Sequence, residues 1–132
     1  MHVVCKSPFQ SEISFKDGRV HVIGSIGLMD KMADLKTKFG PDPRTWQIKE
    51  SAQSTDDILI NEFIQKCQLS FKLAYEHAEL CHCRMVPTDR VFEGIKQGCQ
   101  NIEDIGRATL AGTGCGSCKG DITALLDQFK IF

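Results

Sequence analysis

Residues Thr109–Gly120 read TLAGTGCGSCKG, with four glycines around Cys115 and Cys118. A chain that sets its least hindered residues around its most reactive ones has two uses for them. The segment is either a loose surface loop that happens to carry thiols, or a backbone that must close around something the thiols hold. The second use needs more sulphur, and the chain has it. There are seven cysteines in 132 residues, at positions 5, 67, 81, 83, 99, 115 and 118. The number is odd, so full disulfide pairing would leave one over. No secretory leader is evident, which sets a metal or redox use ahead of a disulfide framework.

Four of the seven form two close pairs, Cys81-x-Cys83 and Cys115-x-x-Cys118, with 31 residues between them. Residues two apart in an extended segment point the same way, so Cys81 and Cys83 aim at one spot and turn His82 outward. Residues three apart in a turn entering a helix share a face, so Cys115 and Cys118 also converge. Four thiolates suit zinc or an iron–sulphur cluster. Zinc knuckles usually place two to four residues between ligands, and Cys81-x-Cys83 places one. The bridging sulphides of a [2Fe-2S] core accept hydrogen bonds from backbone N–H groups, and glycine allows that close approach. A helix beginning near Cys118 would add its positive end.

Outside this segment, EISFKDGRVHVI is expected to form a β-hairpin turning at Asp17-Gly18, with Phe15 opposite Val20 and Ile13 opposite Val22. MDKMADLKTKFGP reads as a short helix capped by Asp30, with a stripe of Met32, Leu35 and Phe39, closed by Gly40-Pro41. The span from Pro41 to Ser54 reads as a loop with a short strand at TWQIK around Trp46. The stretch from Ser54 to Leu80 has apolar residues at helical spacing, Ile60, Phe63, Ile64, Cys67, Phe71, Ala74, Tyr75 and Ala78. It is expected to be one long helix with Asp56 and Asp57 at its positive end. Further helices are expected after Thr88 up to Gly98, after an Asn101 cap, and from about Cys118 to Phe129, burying Ile122, Leu125, Leu126 and Phe129. The fold class is α+β. Three segments follow: a small α+β region over 1–54, a connecting helix over 55–79, and a sulphur-bearing module over 80–132.

Net charge is −1, which gives no electrostatic case for nucleic acid or an anionic membrane. No run approaches the roughly 20 apolar residues that span a bilayer, and a cytoplasmic location is expected. Cys67 falls on the apolar stripe and reads as packing, as do Cys5 and Cys99. His82 is surplus to a site already completed by four cysteines, and His2, His21 and His77 read as surface residues. Arg84, Arg90, Arg107 and Lys119 either offset charge at the sulphurs, dock an acidic partner, or form an ordinary solvated face. Glu50, Asp56, Asp57 and Glu62 make no acid–base constellation, and no enzymatic activity is expected.

The stretch CHCRMVPTDRVFEGIKQGCQNIEDIGRATLAGTGCGSCKGDITALLDQF resembles the bacterioferritin-associated ferredoxin-like (BFD-like) [2Fe-2S] family. All four cysteines stand at the family spacing, with GC before the second helix and the GTGCGSC loop. The resemblance covers about Leu80 to Phe129. It implies that Cys81, Cys83, Cys115 and Cys118 hold a [2Fe-2S] cluster near the surface of a small all-helical, helix-turn-helix module. It further implies one-electron transfer, or cluster carriage, with a redox or iron–sulphur partner protein. The alternatives are a structural zinc module and a cluster-assembly scaffold of the nitrogen-fixation type. The family's simple ferredoxins carry these cysteines almost at their N-terminus, whereas about 80 residues precede them here.

Overall fold

The computed structural model describes residues 2–131 and divides into two compact units. Of these, one comprises residues 2–50 and 56–71, the other 51–55 and 72–131. The element content is α+β, with strands concentrated toward the N-terminus and helices toward the C-terminus.

In the first unit, strands β1 (Val3–Lys6), β2 (Glu12–Lys16) and β3 (Arg19–Ile23) form an antiparallel sheet in that order. The Asp17-Gly18 turn holds both residues at positive φ (54° and 77°), the backbone that a two-residue hairpin requires. Phe15 pairs with Val20 and Ile13 with Val22, as expected, while β1 adds Cys5 opposite Ile13. These side chains face the core. Strand β1 escapes a sequence reading because Val3-Val4-Cys5-Lys6 is too short to show alternation.

Helix α1 (Ile26–Phe39) begins a turn before the expected Asp30 cap. Ser25 is the cap, accepting a hydrogen bond from the Leu28 N–H at 3.1 Å, which brings Leu28 into the core beside Met32. Gly40 ends the helix at φ 96°. No strand forms at TWQIK. Pro43–Thr45 make a single 3-10 turn, and Trp46 is buried with its indole N–H donated to the Gly40 carbonyl at 2.8 Å. Its ring lies 6.3 Å from that of Phe63.

Helix α2 (Thr55–Cys67) supplies Leu59, Ile60, Phe63, Ile64 and Cys67 to the same core. The helix expected to continue to residue 79 stops here. Leu69 adopts φ 57°, and the Ser70 N–H returns to the Gln65 carbonyl at 2.8 Å, a left-handed helix closure. Phe71, Ala74, Tyr75 and Ala78 keep helical spacing, but residues 71–78 contain no helical or strand segment. Asp57 is buried and held by Lys31 at 3.0 Å and Lys49 at 3.4 Å, so its charge is compensated where it leaves water.

The second unit is not purely helical, contrary to expectation. Strands β4 (Glu79–Cys81) and β5 (Val86–Pro87) form a small irregular hairpin ahead of helices α3 (Thr88–Lys96), α4 (Ile102–Thr109) and α5 (Lys119–Gln128). Pro87 in β5 marks the start of α3. Thr88 is the first residue of α3 rather than its cap, and its hydroxyl donates to the His77 carbonyl. Asn101 caps α4 as expected, accepting from the Asp104 N–H at 2.8 Å. Helix α3 packs on β4, β5, α4 and α5. Gly94 permits the α3–α4 approach, because a Cβ there would lie 3.3 Å from Ile105 Cδ1. Phe92 and Phe129 close the far side with ring centroids 4.8 Å apart.

Phe63 is fully buried at the centre of the first unit. Phe63→Ala is expected to cost about 3–5 kcal/mol, read as a fall in the urea midpoint of that unit's unfolding.

Candidate metal centre

Two segments carry the paired cysteines. Cys81 ends β4, and Cys83 follows in the turn to β5. Cys115 lies in the loop after α4, and Cys118 stands at the N-terminal boundary of α5. The intervening helices α3 and α4 pack against each other, and the two segments come together. The sulphurs of Cys81 and Cys83 are 3.9 Å apart. Cys81 is also in thiol contact with Cys118, and Cys83 with Cys115. The sulphurs therefore run in the order Cys118, Cys81, Cys83, Cys115. Among the described residues no three Cys, His, Asp or Glu side chains are gathered around a single-ion point.

The row has an inner and an outer half. Cys81 and Cys118 are buried, whereas Cys83 and Cys115 are exposed. The backbone supplies donors to both halves. The Gly112 N–H serves Cys81 and Cys118, the Arg84 N–H serves Cys81, the Cys115 N–H serves Cys83, and the Ser117 N–H serves Cys115. The glycines act in two ways. Gly112 and Gly116 both take φ 78°, a left-handed geometry that costs glycine little. Gly114 is needed for space, because a Cβ there would collide with the Cys83 sulphur.

The thiols differ in acidity for local reasons. The Ser117 hydroxyl, 3.1 Å from the Cys115 sulphur, the Ser117 N–H and the Cys83 thiol together bring Cys115 down to about 7. Burial opposes ionisation of Cys81, but the N–H groups of Gly112 and Arg84 and the thiols of Cys118 and Cys83 outweigh it and lower its pKa. The Cys83 pKa is raised: the Cys115 N–H favours its thiolate, but the Cys115 thiol, desolvation and the Cys81 thiol together prevail. Cys118 is raised chiefly by burial, then by Cys81. Each contacting pair thus holds one readily ionised thiol beside one that ionises later.

The remaining cysteines stand apart from this row. Cys5 and Cys67 are buried in the first unit's core, and burial raises Cys67 to about 11. Cys99 is half-buried and likewise raised by burial. His82 is exposed and bonds through Nδ1 to Glu79 at 2.8 Å, so the structure does not bring it to the sulphurs. His21 and His77 are exposed. A reading by residue type overlooks Ser117 and the main chain of Arg84. The Cys-x-Ser spacing at Cys115–Ser117 was a usable signal for the first, and nothing in the sequence announced the second.

The donor set fits a [2Fe-2S] core. It offers four convergent thiols in two contacting pairs, backbone N–H groups at each, and a loop that a single methyl would push away from the sulphur. Gly114→Val is accordingly expected to release the visible chromophore faster on incubation with a chelator, with all four cysteines in place. In metal-free protein, iodoacetamide should label Cys115 with a rate that rises through pH 7, since its thiolate forms as pH passes the lowered pKa. Cys83 should follow only above the ordinary thiol range, and Ser117→Ala should move the Cys115 curve to higher pH. One common curve for both thiols would contradict this environment.

Residues 80–128 match the family model described as the BFD-like [2Fe-2S] binding domain. A stretch of 54 residues is 41% identical to part of a nitrite reductase [NAD(P)H] of Emericella nidulans, covering 40% of this chain and 5% of that protein. The chain therefore spans a small fraction of that relative's length. No solved structure matches. The C-terminal part of this chain is a BFD-like [2Fe-2S] binding domain, as its loops and spacing led one to expect.

Proposed function

We propose that the protein is a one-electron carrier whose cluster is held by Cys81, Cys83, Cys115 and Cys118, and that it exchanges electrons with a redox partner without itself catalysing a substrate reaction. The observation that carries this reading is the half-exposed row of sulphurs. Cys83 and Cys115 reach solvent while Cys81 and Cys118 stay inside. A centre set this way presents one edge for close approach, and its potential responds to N–H···S bonds and to solvent at that edge. When bound, the cluster supplies a reversible one-electron couple. The chain's residues hold it, donate hydrogen bonds to the thiolates and limit water on the inner side.

The relative named as a nitrite reductase using NAD(P)H carries a similar stretch as a small part of a much longer chain. That supports a role for this module inside an electron-transfer sequence rather than as the place of chemistry. Among the described residues no helix is long and apolar enough to cross a membrane.

Anaerobic purification followed by iron and sulphide analysis tests the reading. A red-brown protein with iron and acid-labile sulphide in equal amounts is expected, together with a reduction that consumes one electron per chain. Cys83→Ser and Cys115→Ser should each lose most of the visible absorbance. They should also lower the module's melting temperature, because a domain this small draws much of its stability from the metal centre. Stoichiometric zinc without sulphide, or an unchanged spectrum in both variants, would sink the proposal.

A further inference from the structure

The two loops that carry the exposed sulphurs also carry side chains for which the module has no internal use. Met85 follows Cys83 by two residues and is 77% exposed; Leu110 opens the turn that contains Gly112 and is 59% exposed. Both hold positive φ, 56° and 70°, Leu110 as the residue that closes α4, and glycine or asparagine would sit at either with less strain. Neither is repaid by burial. Large apolar residues kept exposed in unfavourable backbone, on both loops beside the sulphurs, are suited to contact another surface.

The charges at this edge show the same pattern. Within residues 72–131, Lys72 pairs with Glu76, Arg90 with Glu93, and Arg107 with Asp104. Lys96 lies over the Phe92 ring, and Lys130 is also engaged. Arg84 and Lys119 are the cations of this span whose side chains make no ion pair or hydrogen bond among the described residues. Both lie over the glycine loop. Arg84 Nε is 3.4 Å from where a Gly114 Cβ would stand, and Lys119 Cε is 3.5 Å from that of Gly116. The unpaired cations thus flank Cys115, on the two loops that also carry Met85 and Leu110.

We infer that this edge is the docking surface for a redox protein that presents carboxylates around an apolar patch. Met85 and Leu110 supply the apolar contact, and Arg84 and Lys119 receive the carboxylates. The inference rests on the one-electron reading above and names the partner chemistry for that site. Exposed cations beside an anionic centre steer an acidic partner to the edge where the electron crosses, an effect that salt screens.

Small probes test both halves of the surface in the intact loaded protein. The first is stopped-flow oxidation of the reduced protein at low ionic strength. Ferricyanide takes one electron and becomes ferrocyanide, with no proton or atom transferred, and the cationic oxidant hexaamminecobalt(III) serves as the comparison. R84Q/K119Q retains the Arg84 N–H. It should slow ferricyanide about three- to tenfold while not slowing the cobalt complex, and 0.5 M salt should abolish the difference. R84K/K119R should restore the rate.

The second readout involves no electron transfer. Equilibrium dialysis of 8-anilinonaphthalene-1-sulfonate, an aromatic anion, should show a binding class weakened at least threefold by M85N/L110N and by R84Q/K119Q. Asparagine tolerates the positive φ at both sites, so the first variant should fold. A colourless, sulphide-free wild-type protein would overturn the electron-carrier reading and this inference together. An intact visible spectrum, with rates and dye binding unmoved by both double substitutions, would overturn the docking surface alone.

Discussion

Contact between sulphurs on two chain segments separated by 31 residues is the constraint on which the C-terminal module turns. Thiols so close repel once ionised, so bringing them together needs donors to stabilise the charge and a backbone able to come near. N–H groups of residues 84, 112, 115 and 117 serve the first need. Gly114 serves the second by leaving open the space that the Cys83 sulphur occupies. The helices then have a defined task. Helices α3 and α4 link the two cysteine pairs and pack against each other, and Gly94 lets them approach closely.

The same arrangement divides the site by exposure. β4 and the start of α5 belong to the packed part of the module, so Cys81 and Cys118 are buried with Leu80, Ala111 and Ile122. Cys83 lies two residues past Cys81 and Cys115 three before Cys118, and both face water. An electron-transfer centre benefits from this asymmetry, because burial on one side limits solvent access while the open side shortens the path to a partner. The N-terminal unit uses its cysteines differently. Cys5 and Cys67 act as small apolar side chains among Ile13, Phe15, Phe63 and Trp46, and burial keeps Cys67 a thiol at neutral pH.

How far a residue's role could be read in advance depended on how local its cause was. Asp17-Gly18, Gly40 and Asn101 stand where expected because turns and caps are set by a few neighbouring atoms. The helix extending to residue 79 failed for the opposite reason. Phe71 to Ala78 keep a helical period, but the last buried core residue of α2 is Cys67, and the left-handed Leu69 with the Ser70 N–H on the Gln65 carbonyl closes the helix there. The start of α1 at Ser25 rather than Asp30 has a similar origin, since one added turn places Leu28 in the core.

The amino-acid sequence by itself determined the chemistry of the centre: four thiols in two pairs, a glycine ribbon, and the family to which residues 80–128 conform. Those features are covalent and short-range, so spacing along the chain expresses them. Tertiary structure alone decided which sulphurs face water, which N–H groups reach them, and that Met85, Leu110, Arg84 and Lys119 share the loops of the exposed edge. Exposure and N–H direction follow from how distant segments pack, and no interval in the sequence encodes that packing.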